Sequence, residues 1–114
     1  MELSHRVEND IHIMSIEGEM VWNKIQGINL DTSKLLEDGG LKALLVNLEK
    51  VTKIDSFGTT MLITFFKASN EKKIPFALCH LSKNVHDVLQ LAQLHKLLSI
   101  YEKEQEALAS FQMA

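Results

Sequence analysis

Leu44-Leu45-Val46-Asn47-Leu48 is a nearly continuous apolar run. A strand of this kind has no polar face to show to water, so it must be covered on both sides. That requirement points to a mostly parallel or mixed sheet with helices against it, and the rest of the chain supplies the parts. Leu3 to Val7 and Ile11 to Ile16 read as strands around a Glu8-Asn9-Asp10 turn, close enough to form a hairpin that Gly18 ends. In the second strand Ile11, Ile13 and Ser15 make one face, and Met14 and Ile16 make a second apolar one. From Trp22 to Glu37, Ile25, Ile28, Thr32, Leu35 and Leu36 fall at helical spacing. Gly27 weakens that helix and Gly39-Gly40 stops it.

A second helix is expected from Phe57 to Glu71, with Met61, Leu62, Phe65, Phe66 and Ser69 inward. Pro75 to Cys79 is another buried-type strand. Ser82 suits the N-cap of a third helix with the stripe Val85, Val88, Leu89 and Ala92. Leu97 to Tyr101 is a short last strand, and Lys103 to Phe111 a final helix. The order is β-β-α-β-α-β-α-β-α, an α/β arrangement. At 114 residues the chain has room for one domain with a core, spanning 1–114, and it carries no linker or repeat.

Bulk properties exclude several function classes. A net charge of −3, with Lys67 to Lys73 interrupted by Ala68, Ser69, Asn70 and Glu71, gives no basic surface for nucleic acid. Cys79 is the single cysteine, so no internal disulfide forms and a reducing compartment fits. The N-terminus lacks the order of a signal peptide, and no apolar run approaches the roughly 20 residues that span a bilayer. A cytoplasmic location without direct membrane insertion is expected.

The chain has neither a Gly-rich phosphate loop nor a Gly-x-Ser-x-Gly elbow. None of His5, His12, His80, His86 and His95 forms a zinc-type pair, and one cysteine builds no cluster. His5, His86 and His95 read as surface residues, and His12 and His80 as residues at sheet edges. The expectation is no catalytic residue, no metal and no cofactor, hence not an enzyme.

Lys53-Ile54-Asp55-Ser56-Phe57-Gly58-Thr59-Thr60 carries the functional signal. An apolar segment ends at Ile54 and a strong helix start follows. Asp55 or Ser56 can accept the free N–H groups of the first turn. Alternatively, Ser56 can take a phosphate from another protein. A phosphoserine carries about −1.5 to −2 charges, and the helix N-terminus offers about half a positive charge. The fold could then hold the phosphate while its outer surface changed.

The run follows Ala43 to Ile54, and the chain begins with a hairpin ending Glu17-Gly18-Glu19. Val85-His86-Asp87-Val88-Leu89-Gln90-Leu91-Ala92-Gln93-Leu94 and Leu98-Ser99-Ile100-Tyr101 come later. This layout resembles the STAS domain, in particular the bacterial anti-sigma factor antagonists, over nearly the full chain. The resemblance implies a central mixed sheet of about five strands with about four helices mainly on one side. It implies a non-enzymatic role in transcription signalling. Unphosphorylated, such a protein sequesters an anti-sigma factor that is also a serine kinase. The kinase phosphorylates the serine after the motif's Asp, here Ser56 after Asp55, and a PP2C-type phosphatase resets it.

The residues expected to meet the partner are Asp55, Phe57, Gly58, Thr59, Glu19, Val21 and Trp22. Phe57 stands where the family usually has a small residue, and Gly58-Thr59-Thr60 where it has Gly-Leu-Gly. Val21 stands where it has Asp. Val21, Trp22 and Phe57 would form an apolar patch suited to a protein interface; alternatively, Trp22 packs under the first helix. The other reading of the scaffold is one without the switch, as a subunit of a lipid-transport ABC complex or of a stress-signalling assembly.

Overall fold

The computed structural model describes residues 1–25 and 41–112. The expected helix from Trp22 to Glu37 with its Gly39-Gly40 stop therefore lies largely outside the described residues; its described part is the short helix α1, Trp22–Ile25. The strands are β1 (Glu2–Glu8), β2 (Ile11–Met20), β3 (Ala43–Ile54), β4 (Phe76–Cys79) and β5 (Ser99–Tyr101). The longer helices are α2 (Ser56–Glu71), α3 (Lys83–Leu91) and α4 (Glu104–Gln112), and Leu94–Lys96 is a 3-10 turn.

The five strands lie in the order β1-β2-β3-β4-β5. β1 and β2 pair antiparallel, and the remaining neighbours pair parallel. Asn9 and Asp10 close the hairpin with φ of 51° and 65°, between Glu8 and Ile11, which pair directly. A two-residue loop of this type needs positive φ at both positions, and Asn and Asp tolerate it best after glycine.

Strand order explains the layering. Because parallel strands are added in one direction only, right-handed crossovers place the connecting helices on one face. Leu62 and Phe65 of α2 and Val85 and Leu89 of α3 are buried there, against Met14, Ile16, Leu44, Val46 and Leu78. α4 follows the last strand, and its Ala107 and Phe111 cover Ile11, Ile13, Leu45, Ala77 and Cys79 on the other face. Two apolar faces are what the Leu44–Leu48 run requires. Each large side chain buried in these layers is worth about 1.5–3 kcal/mol.

Several expectations needed adjustment. Pairing of β1 with β2 does end at Glu17, but β2 continues past Gly18 to Met20. The register against β3 shifts between Ser15 and Glu17 and again between Gly18 and Glu19. Gly18 takes φ of 107° at that second irregularity, a backbone that side-chain-bearing residues rarely adopt. Ala92 lies beyond α3 and is exposed, and Leu94 of the 3-10 turn is buried instead.

Neither His12 nor His80 is at a sheet edge. His12 is 8 % exposed in β2, between two strands, with its Nε2 3.0 Å from Nδ1 of His5. His80 follows β4, and its Nε2 accepts the backbone N–H of Glu104 at 3.0 Å, satisfying a free donor at the start of α4. Nearby, Glu104 also pairs with Arg6 at 2.8 Å.

Candidate functional site at the start of α2

β2 and β3 are parallel and end together, with Met20 in register with Ile54. Whatever follows each strand therefore emerges side by side, at the carboxyl edge where open α/β sheets place their ligand sites. After β2 come Val21 and α1; after β3 come Asp55 and α2.

Asp55, not Ser56, caps α2. With extended backbone, it places Oδ1 to accept the N–H groups of Phe57 at 2.9 Å and Gly58 at 3.1 Å. Its other oxygen, Oδ2, accepts the backbone N–H of Trp22 at 3.0 Å. Its own N–H donates to the carbonyl of Met20 at 3.3 Å. Partial desolvation raises the Asp55 carboxyl, but the N–H groups of Trp22, Gly58 and Phe57 outweigh it. The carboxyl therefore titrates below its ordinary value and is ionised at neutral pH.

With the cap supplied by its neighbour, the Ser56 side chain is left exposed at the first position of the helix. Its carbonyl accepts the hydroxyls of Thr59 at 2.8 Å and Thr60 at 2.9 Å. These bonds satisfy the two threonines within the helix.

Gly58 and Thr59, expected among the partner contacts, are buried in the first turn of α2. A Cβ on Gly58 would collide with the Met20 carbonyl and come within 2.6 Å of the Ile54 side chain. Glycine is what lets the first turn of α2 press onto the strand ends. Thr59 is buried beside it. Glu19 and Val21 are half-buried.

Trp22 and Phe57 form the apolar surface. They are 51 % and 49 % exposed, with ring centroids 4.6 Å apart and planes tilted by 37°. Trp22 thus stacks on Phe57 at the rim of the site. Of the two readings open for Trp22, the exposed patch is the one found, and nothing in the spacing of the two residues revealed the carboxylate that joins them.

Among the described residues no group of three or more His, Cys, Asp or Glu could hold a metal ion. No helix there is long and apolar enough to cross a membrane. Burial, with Glu104 and Glu49 nearby, pushes the Cys79 thiol up to about 12, which makes it a poor nucleophile.

A model of the STAS domain family matches residues 2–107. The chain belongs to the STAS domain family. It is similar to an anti-sigma F factor antagonist of Paenibacillus polymyxa, 21 % identical over 113 residues, covering 99 % of this chain and 95 % of that protein. Among solved structures, an anti-sigma factor antagonist from Mycobacterium paratuberculosis superposes with a TM-score of 0.85 at 16 % identity, covering 97 % of this chain and 93 % of that one. The phosphorylated form of SpoIIAA, a Bacillus cell fate determinant, gives 0.70 at 17 % identity, covering 96 % and 98 %. At these identities the structures share the STAS fold with this chain: a mixed five-stranded sheet with helices on both faces, two of the longer three on one side.

Proposed function

We propose that this STAS domain is a phosphorylation-switched binding module of the antagonist type, without catalytic activity of its own. Ser56 is the phosphoacceptor. With Ser56 unmodified, the protein sequesters an anti-sigma factor that is also a serine kinase. Phosphate on Ser56 ends the complex, and a PP2C-type phosphatase restores it. The setting is bacterial, cytoplasmic transcription control.

The observation that carries this reading is the division of labour between Asp55 and Ser56. The carboxylate closes the helix, so capping does not use the exposed hydroxyl. A phosphate there meets the positive end of α2, so the fold tolerates it. A partner packed over the same turn would meet new charge in place of a neutral contact. A loss of about 3 kcal/mol lowers affinity more than a hundredfold, enough for a switch. Similarity to the anti-sigma F factor antagonist supports the choice of partner.

The test is a pull-down with phosphate-site mass spectrometry, followed by binding of the recovered kinase to variants. Ser56→Ala should bind, and Ser56→Asp should not while keeping its fold. Wild-type binding by both variants rules out the switch.

The exposed Trp22–Phe57 pair favours a second reading, a STAS scaffold whose contacts are mainly apolar and need no phosphate. It would be a subunit of a lipid-transport ABC complex or of a stress-signalling assembly. Recovery of an ATPase subunit or a large particle instead of a small kinase selects it.

A further inference from the structure

Besides the ring contact, three ties among the described residues hold the end of β2 and the start of α1 to the first turn of α2. Two involve Met20: its carbonyl accepts the Asp55 N–H and lies against Gly58, where no Cβ fits. The third is the single bond from the Trp22 N–H to Oδ2 of Asp55. The opposite oxygen, Oδ1, holds the Phe57 N–H. One carboxylate thus sets the backbone positions under both stacked rings, from its two sides.

We propose that Asp55 is a latch between Ser56 and the aromatic pair, and that negative charge on Ser56 releases Trp22 from Phe57. The inference rests on Ser56 as the phosphoacceptor, and extends it by naming how the phosphate reaches a contact it does not touch. A phosphoserine brings about −1.5 to −2 charges to the residue beside the ionised Asp55. The phosphate repels that carboxylate and competes with it for the N–H donors of the first turn. Among the described residues Oδ1 has two donors and Oδ2 one, so of these bonds the Trp22 bond is the least supported. Met20 stays clamped by Gly58, so the movement begins at Val21. The phosphate then acts twice: by its own charge, and by taking apart the apolar contact beside it.

The chain has one tryptophan, so fluorescence excited at the red edge of the band, beyond the absorption of its single tyrosine, reports Trp22 alone. The experiment compares acrylamide quenching of the full chain with that of the same chain carrying phosphoserine at position 56, introduced by nonsense suppression. The quenching constant should rise by up to about twofold, since half of Trp22 is already exposed. Phe57→Ala removes the stacked ring directly and gives the size of that signal. Asp55→Asn puts an amide where Oδ2 was, so its quenching should be high already and phosphoserine should add nothing.

Equal quenching with and without phosphoserine, when Phe57→Ala raises it, overturns the latch. A full phosphoserine effect that persists in Asp55→Asn overturns it too. Should Asp55→Asn fail to fold, the phosphoserine and Phe57→Ala proteins still decide. If phosphoserine blocks kinase binding but leaves Trp22 unchanged, the latch falls and the phosphoacceptor reading stands.

Discussion

The backbone N–H of Trp22 ends on Oδ2 of Asp55 at 3.0 Å, joining residues 33 positions apart. Parallel pairing makes this possible, because Met20 and Ile54 leave the sheet at the same level. Asp55 is therefore more than an ordinary N-cap: it closes α2 and fastens the start of α1.

That double role predicts the response of stability to acid. Hydrogen bonding depresses the Asp55 pKa in the fold, so the folded state binds its proton less readily than the unfolded chain. The stabilisation is fully present above the ordinary value of 3.8 and is lost as pH falls through the lower folded value. Asp55→Ala should cost about 1 kcal/mol at neutral pH from the lost cap. Urea denaturation from neutral pH into the acid range should show the difference between wild type and variant shrinking only below pH 3.8.

The stacked pair predicts a measurable coupling between two exposed residues. Trp22→Ala and Phe57→Ala each expose little new core, so each should be mild alone. A double-mutant cycle by urea denaturation should give about 0.5 kcal/mol, the low end for aromatic pairs, because both rings are half in water. Strict additivity would mean that the 4.6 Å stacking does not persist in solution.

Much of this fold was legible in the sequence, and for a physical reason. Leu44 to Leu48 could be buried on both faces only in a covered sheet, and Ser82 and Asp55 had the side chains that cap helices. The site was legible as a segment, Lys53 to Thr60, but not as a set of contacts. Which of Asp55 and Ser56 capped the helix depended on one residue of phase, below the precision of a periodicity. The inward placement of Gly58 and Thr59 depended on how closely the turn meets Met20, a tertiary distance. The capping role of His80 likewise required α4 to fold back over β4, which no local pattern encodes.

Gly58 should tolerate no side chain. The Cβ of Gly58→Ala would collide with a backbone carbonyl, which cannot swing away, and with Ile54. Relief requires α2 to lift from the ends of β2 and β3, at an expected cost of about 1–3 kcal/mol, typical of overpacking. Thr60→Ala, on the exposed side of the same turn, should stay within about 0.5 kcal/mol. Equal midpoints for the two variants in thermal or urea unfolding would contradict the close approach.

Cys79 should report opening of the sheet rather than surface chemistry. Burial, with Glu104 and Glu49, raises its thiol from 9.0 to about 12, so the fold disfavours the thiolate. Labelling by a thiol reagent at mildly alkaline pH should be slow in the native state and accelerate with urea in step with unfolding. The same shift fixes the alkaline behaviour. A folded pKa above the unfolded one means that the stabilisation is present below pH 9.0 and is lost as pH rises beyond it. Cys79→Ala removes this contribution, so above pH 9.0 the variant should lose stability less steeply than wild type. Parallel stability curves for the two proteins across that range would show that the thiol is not held in the interior between β4 and α4.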